Sequence, residues 1–347
     1  MNKKIRVLVV DDSILFRKLL IDYLSAQPYL EVVGFAINAY DAKQKLPILK
    51  PDVMTLDVEM PGLNGIEFVK QLIPKNPIPV ILVSSLNLNV FEALSAGAVD
   101  FVRKPDLGIT TDNRTFLETL ANKVVIASRA KVMVSSAQAK GASSTAPIPV
   151  TFPSTLKVQS TIIAIGASTG GTEATLAVLK QLPADCPGIV ITQHMPEGFT
   201  KMYAERLNRI CAMEVREAQN GDRIQKGLAL IAPGNLQMKV VHIGSLYTVS
   251  CFAGEKVSGH TPSVDVLFNS MADAVGRNGV GILLTGMGRD GADGLLKMRN
   301  SGAYTIGQNK ETCVVYGMPM VAYNIGGVCI QSALNNIPSV LKSYLVK

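Results

Sequence analysis

Gly166-Ala167-Ser168-Thr169-Gly170-Gly171 joins the apolar run Thr161-Ile162-Ile163-Ala164-Ile165 to a helical pattern over 172–179. The run is short and rich in β-branched residues, so it reads as a buried strand. The joint is therefore strand, sharp turn, helix, with Ser168 at the turn. Glycines on both sides leave space around its hydroxyl. The spacing Gly166-x-Ser168-x-Gly170 is that of a nucleophile elbow. A glycine-rich turn that cradles a phosphate on backbone N–H groups is the alternative that this stretch alone leaves open.

Around this joint the chain reads as two α/β domains. The length of 347 residues favours two domains over one. Strands are expected at 5–10, 31–36, 53–56, 80–83 and 99–102, with helices at 13–26, 39–49, 65–73, 88–96 and 113–128. That alternation predicts a parallel, doubly wound sheet over residues 1–127. Residues 128–158 are rich in Ser, Ala, Thr and Pro and lose helical periodicity, so they read as a flexible linker. From 159 to 347, strands are expected at 161–165, 188–192, 228–232, 238–243, 246–251, 280–285, 304–307 and 328–330. Helices fall at 171–181, 197–211, 263–275, 291–300 and 335–346. This second domain is also mostly parallel, with one antiparallel hairpin turning at Gly244-Ser245 in the II′ manner.

Composition removes several function classes. The five cysteines form no C-x-x-C pair and their number is odd, which argues for reduced thiols in a cytoplasmic protein. No run of apolar residues is long enough to span a membrane, and the N-terminal run is too short for a signal peptide. The net charge of +7 does not indicate nucleic acid, because it is spread thinly. Residues 1–107 balance 12 basic against 12 acidic side chains, and the excess is densest in the linker, with no basic stripe on any element.

Parallel sheets collect function at the carboxyl ends of their strands. In the first domain these ends carry Asp11 and Asp12, Asp57, Ser84, and Lys104-Pro105. Three carboxylates on one edge repel one another unless a cation lies among them, and oxygen ligands of this kind suit Mg²⁺. A lysine and a hydroxyl beside them suit a phosphoryl group. The set Asp11-Asp12, Asp57-Val58-Glu59-Met60-Pro61, Ser84 and Phe101-x-x-Lys104-Pro105 resembles the receiver domain of two-component response regulators. The resemblance implies a flavodoxin-like fold and phosphorylation of Asp57 by a histidine kinase. It further implies Mg²⁺ held by Asp12, Asp57 and the Glu59 backbone carbonyl with Asp11 assisting, and phosphoryl sensing by Ser84, Lys104 and Phe101. Asn64 stands where the family often has aspartate.

The chain has three histidines. His194 follows the strand expected at 188–192, and lies 26 residues (194 − 168) after Ser168, the reach of one helical crossover. His242 sits beside the hairpin tip and reads as structural or exposed. His260 lies in a loop before a helix, able to line a site but away from a strand's carboxyl end. The first carboxylate after the strand expected at 280–285 is Asp290. A triad would then run Ser168, His194, Asp290, unlike the order of α/β-hydrolases, whose base would have to be His242 or His260.

Five segments resemble the catalytic domain of the chemotaxis protein-glutamate methylesterase, CheB: 165–171, Gln193-His194-Met195-Pro196, Pro262–Phe268, Leu283–Gly291 and Val315–Pro319. The resemblance implies a Rossmann-like domain with Ser168 as nucleophile, His194 as general base and Asp290 as the residue that holds it. The chemistry would be hydrolysis of glutamate methyl esters on the cytoplasmic domains of chemoreceptors, with glutamine deamidation as a second activity and no cofactor for the ester step. The oxyanion would fall to the backbone N–H groups of Thr169 and Met287. Thr261 stands where the family has arginine. The receiver would either cover the Ser168 site until Asp57 is phosphorylated, or only assist docking. A non-enzymatic response regulator binding a phosphate-containing ligand or nucleic acid is the competing reading.

Overall fold

The structure, a computed structural model, describes residues 3–85, 90–105, 110–132, 158 and 160–346. The chain divides into two compact units, Met1–Gly141 and Ala142–Lys347. Residues 133–157 of the expected linker, and 88 and 89 of the fourth expected helix, lie outside the described residues.

In the first unit, β1 (Ile5–Val10), α1 (Ile14–Ser25), β2 (Leu30–Ala36), α2 (Ala39–Leu49), β3 (Val53–Asp57), α3 (Gly65–Leu72), β4 (Val80–Ser84), α4 (Val90–Ser95), β5 (Asp100–Arg103) and α5 (Thr110–Ala127) alternate. The sheet order is β2-β1-β3-β4-β5, every pair parallel. β3 and β4 are buried along their whole length, as strands covered on both faces must be. Ser13, Asn38 and Asn64 cap the first three helices through their side-chain oxygens, each accepting a backbone N–H three residues on. Asn64, where the family often has aspartate, keeps this capping role.

The second unit contains β6 (Ile162–Ala167), α6 (Gly171–Leu179), β7 (Ile189–Gln193), α7 (Phe199–Ile210), β8 (Glu214–Glu217), β9 (Leu228–Ile231), β10 (Gln237–Ile243), β11 (Leu246–Phe252), α8 (Val264–Ala274), β12 (Gly279–Leu283), α9 (Ala292–Asn300), β13 (Tyr304–Gln308), α10 (Met318–Asn324), β14 (Ile330–Ser332) and α11 (Ile337–Val346). Seven strands form a parallel sheet in the order β14-β13-β12-β6-β7-β9-β8. β10 and β11 pair antiparallel as a separate hairpin, with Ile243 opposite Leu246. Gly244 takes a φ of 62° and Ser245 keeps a negative φ, which is the II′ pattern. Met238, Val240 and Val249 of the hairpin share one core with Leu267, Phe268 and Met271 of α8 and with Leu295 and Met298 of α9.

Two elements escaped the sequence reading. β8 is Glu-Val-Arg-Glu with only Val215 buried, a short charged edge strand with no apolar run to betray it. α10 is seven residues long and opens on Met318-Pro319, too brief for a helical period to show. The last strand lies at Ile330–Ser332, later than the expected 328–330, and Val328 ahead of it belongs to the buried core.

Candidate active site and candidate phosphorylation site

In the seven-stranded sheet the chain leaves β6 toward β7 on one side and returns to β12 on the other, so β6 lies at the point where strand order reverses. Such points open a crevice at the strands' carboxyl ends. Register fixes what lies there. Ala167 pairs with Gln193, and the His194 N–H donates to the Ala167 carbonyl at 3.1 Å. Ser168 N–H donates to Thr285 O at 3.0 Å on the opposite side. Ser168 and His194 are thus the first residues past two paired strand ends, and the loop carrying Asp290 leaves the third.

The side chains meet. Ser168 Oγ lies 3.1 Å from His194 Nδ1, and His194 Nε2 lies 2.7 Å from Asp290 Oδ2. A neutral imidazole with its proton on Nε2 satisfies both: it donates to the carboxylate and accepts from the hydroxyl. Ser168 is half-buried, the His194 side chain is 8% exposed, and Asp290 is buried.

Asp290 is held by the start of α8. Its Oδ1 accepts Ser263 Oγ–H at 2.7 Å and Asp265 N–H at 3.0 Å, and its Oδ2 accepts Val264 N–H at 2.7 Å. Burial alone would raise this carboxyl. The hydrogen bond from His194, its positive charge whenever the ring is protonated, the Ser263 hydroxyl and the Asp265 N–H outweigh it and bring Asp290 down to about 2. It is a permanent anion seated on a helix N-terminus. Ser263 also caps α8, accepting Val266 N–H at 3.4 Å. Sequence reasoning did not assign this role to Ser263, although a serine ahead of an apolar helical run is an N-cap signal, and N–H groups gather behind a cap.

Asp265 is the counterpart. Its carboxylate accepts Gly294 N–H, at the start of α9, at 2.8 Å. Each of two neighbouring helix starts therefore donates to an aspartate of the other segment. Burial, with the charges of Asp290 and Asp293, pushes Asp265 up to about 6 despite the Gly294 bond.

The elbow needs glycine at two places. Gly170 has a φ of 76° and opens α6 without a side-chain cap. Gly286 packs on the serine: a Cβ there would stand 2.7 Å from Ser168 Cβ and would also strike Met318 Sδ. This close approach carries the Gly286-Met287 peptide alongside Ser168. Of the remaining histidines, His242 is exposed and stacks on Tyr247 near the hairpin tip, while the His260 ring lies directly on that of His194.

In the first unit the strand ends gather the expected residues. One carboxylate oxygen from each of Asp11, Asp12 and Asp57 falls within 4.8 Å of the others. Lys104 Nζ donates to Asp57 Oδ2 at 2.6 Å and to Asp11 Oδ2 at 3.1 Å. Burial, together with the Asp11 charge, pushes Asp57 up to about 6 against Lys104 and the Glu59 N–H. Hard oxygen donors so close together fit Mg²⁺. Ser84 Oγ, one residue past the partner of Asp57 in β4, is buried with no hydrogen-bond partner among the described residues. An orphaned donor there fits a phosphoryl oxygen. Phe101 is buried in β5, edge-on to Phe91 with centroids 6.3 Å apart. Among the described residues no helix is long and apolar enough to cross a membrane.

Comparison with known proteins agrees with both halves. Residues 163–341 match the family described as CheB methylesterase, and residues 7–108 match the response regulator receiver domain. A protein-glutamate methylesterase/protein-glutamine glutaminase 2 of Syntrophomonas wolfei is 50% identical over 341 residues, covering 98% of this chain and 97% of its own length. A protein-glutamate methylesterase/protein-glutamine glutaminase of Syntrophotalea carbinolica is 50% identical over 334 residues, covering 94% of each. The crystal structure of the Thermotoga maritima CheB methylesterase catalytic domain is similar at 33% identity and a TM-score of 0.52, covering 53% of this chain and 98% of that one. The chain belongs to the CheB methylesterase family, with a response regulator receiver domain preceding the methylesterase domain.

Proposed function

We propose that this chain is a phosphorylation-regulated protein-glutamate methylesterase and protein-glutamine deamidase of chemotactic adaptation, acting through Ser168, His194 and Asp290. The observation that carries the residue assignment is the single imidazole touching a hydroxyl on one edge and a buried carboxylate on the other.

His194 Nδ1 takes the Ser168 proton as Oγ attacks the ester carbonyl carbon. The imidazolium then donates from Nε2 to Asp290, whose charge is fixed by the start of α8. The tetrahedral oxyanion is assigned to the Thr169 and Met287 N–H groups. Thr169 follows the nucleophile, and the close packing of Gly286 supports Met287. Collapse expels the alkoxide, which receives the Nδ1 proton and leaves as methanol. A water molecule, deprotonated by Nδ1, cleaves the acyl-serine to free glutamate and restores Ser168. With a glutamine amide the same cycle releases ammonia.

The substrate we infer is a methylated or amidated glutamyl side chain on the cytoplasmic domain of a chemoreceptor, and the phosphodonor is a histidine kinase. In the receiver, Asp57 accepts the phosphoryl group, with Lys104 and Ser84 positioned to pair with its oxygens. Asp11, Asp12, Asp57 and the Glu59 carbonyl would hold Mg²⁺, which when bound neutralises charge on the transferring phosphoryl group. The test is methanol release from methylated receptor membranes with and without a small-molecule phosphodonor. The expected result is release that rises with the donor and stays at the basal rate in Asp57→Asn. No release under either condition would refute the reading.

A further inference from the structure

We infer that His260 is a positioning residue for the Ser168 reaction, acting through His194; the inference rests on the esterase reading above. The two rings stack with centroids 3.6 Å apart and planes within 15°. The two hydrogen bonds of His194 leave from Nδ1 and Nε2, at two points on the ring's rim. Turning the ring about its Cβ–Cγ bond would break both contacts. A flat surface laid on one face resists that turn. It also keeps water off the face of the base, and presents π density to the imidazolium that forms when Ser168 is deprotonated.

The segment that carries His260 is built to hold a fixed pose. Val257 and His260 exchange both backbone hydrogen bonds, at 3.0 and 2.9 Å. Ser258 and Gly259 between them have φ of 53° and 83°, the pattern of a I′ turn. The buried side chain of Gln237, the first residue of β10, ties the segment down. Its Nε2 donates to Glu255 O at 2.9 Å and His260 O at 3.3 Å, while its Oε1 accepts Ser263 N–H at 2.8 Å. One amide thus fixes His260 over the base and Ser263 against the acid.

The experiment compares His260→Leu and His260→Phe in the full chain, with Ser168→Ala alongside, on methylated receptor membranes. Leucine fills similar space without a flat face, whereas phenylalanine restores one. His260→Leu is expected to lose roughly tenfold to a hundredfold in kcat, the cost of a misplaced catalytic group, with little change in KM. His260→Phe is expected to recover most of that loss at an unchanged denaturation midpoint. Equal kcat in His260→Leu and the parent chain would overturn the proposal, as would a Phe variant as slow as the Leu variant. A loss confined to KM would also overturn it, pointing to substrate contact instead. Hydrolysis surviving in Ser168→Ala would remove the esterase reading itself, and the proposal with it.

Discussion

Asp290 Oδ2 accepts two donors at 2.7 Å, the His194 Nε2–H and the Val264 N–H. The carboxylate bonded to His194 is therefore anchored to the start of α8, although it comes from a loop. Asp290→Asn keeps the shape but turns an NH₂ toward these donors and no longer selects the Nε2–H tautomer. We expect kcat to fall by about 10³–10⁴, by analogy with the same change in other serine triads. Stability should fall by about 1–3 kcal/mol, because buried N–H groups lose their acceptor. Steady-state methanol release and urea unfolding check the two effects separately.

The raised Asp265 carboxyl predicts a pH-dependent stability. Its folded pKa of about 6 stands above the ordinary 3.8, so the folded state binds the proton more tightly than the unfolded one. Its contribution is therefore most favourable below the ordinary value and declines as pH rises from 3.8 to about 6. Asp265→Asn removes the titration and keeps an oxygen for Gly294 N–H. Against the variant, the parent chain should lose stability across that window; parallel denaturation midpoints from pH 4 to 6 would refute the assignment.

Gly286→Ala tests the close approach beside Ser168. The added methyl meets Ser168 Cβ at 2.7 Å and also presses on Met318 Sδ. Overpacking of this kind costs about 1–3 kcal/mol. Displacement of Ser168 from His194 should add roughly a hundredfold loss in kcat. A variant as active as the parent would show that the peptide following Gly286 has no part in the geometry of attack.

The first unit makes its own prediction. Asp57→Asn should take up no phosphate from a small-molecule donor, and chelation of Mg²⁺ should abolish uptake by the parent chain. Ser84→Ala removes a buried donor that has no other partner among the described residues. It should slow uptake by about tenfold or more, the value of one hydrogen bond to a charged group. Phosphate incorporation measured against time distinguishes these cases.

The strand ends were legible because β-branched runs end abruptly at polar residues. Val7–Val10 stops at Asp11, Val53–Leu56 at Asp57, and Ile189–Thr192 just short of His194. A parallel sheet brings such ends to one rim, so order and crossover length bring Ser168, His194 and Asp290 together, while their roles rest on the resemblance to CheB as well. The supports are less legible, although Ser263 stands where an N-cap serine is expected. Gln237, His260, Ser263 and Asp265 act through an amide, a ring face, a cap and a cross-helix bond, none of which imposes a period on the sequence. His260 follows no strand, so its place in a loop shows only that it can line a site; it reaches His194 on a turn that folds back over the ring.

The most direct test of the account is methanol release from methylated receptor membranes by the phosphodonor-treated full chain and by its Ser168→Ala variant. A hydroxyl that attacks the ester cannot be replaced by a methyl, so release should fall by roughly a thousandfold or more. A folded Ser168→Ala chain that releases methanol within a few-fold of the parent would contradict it.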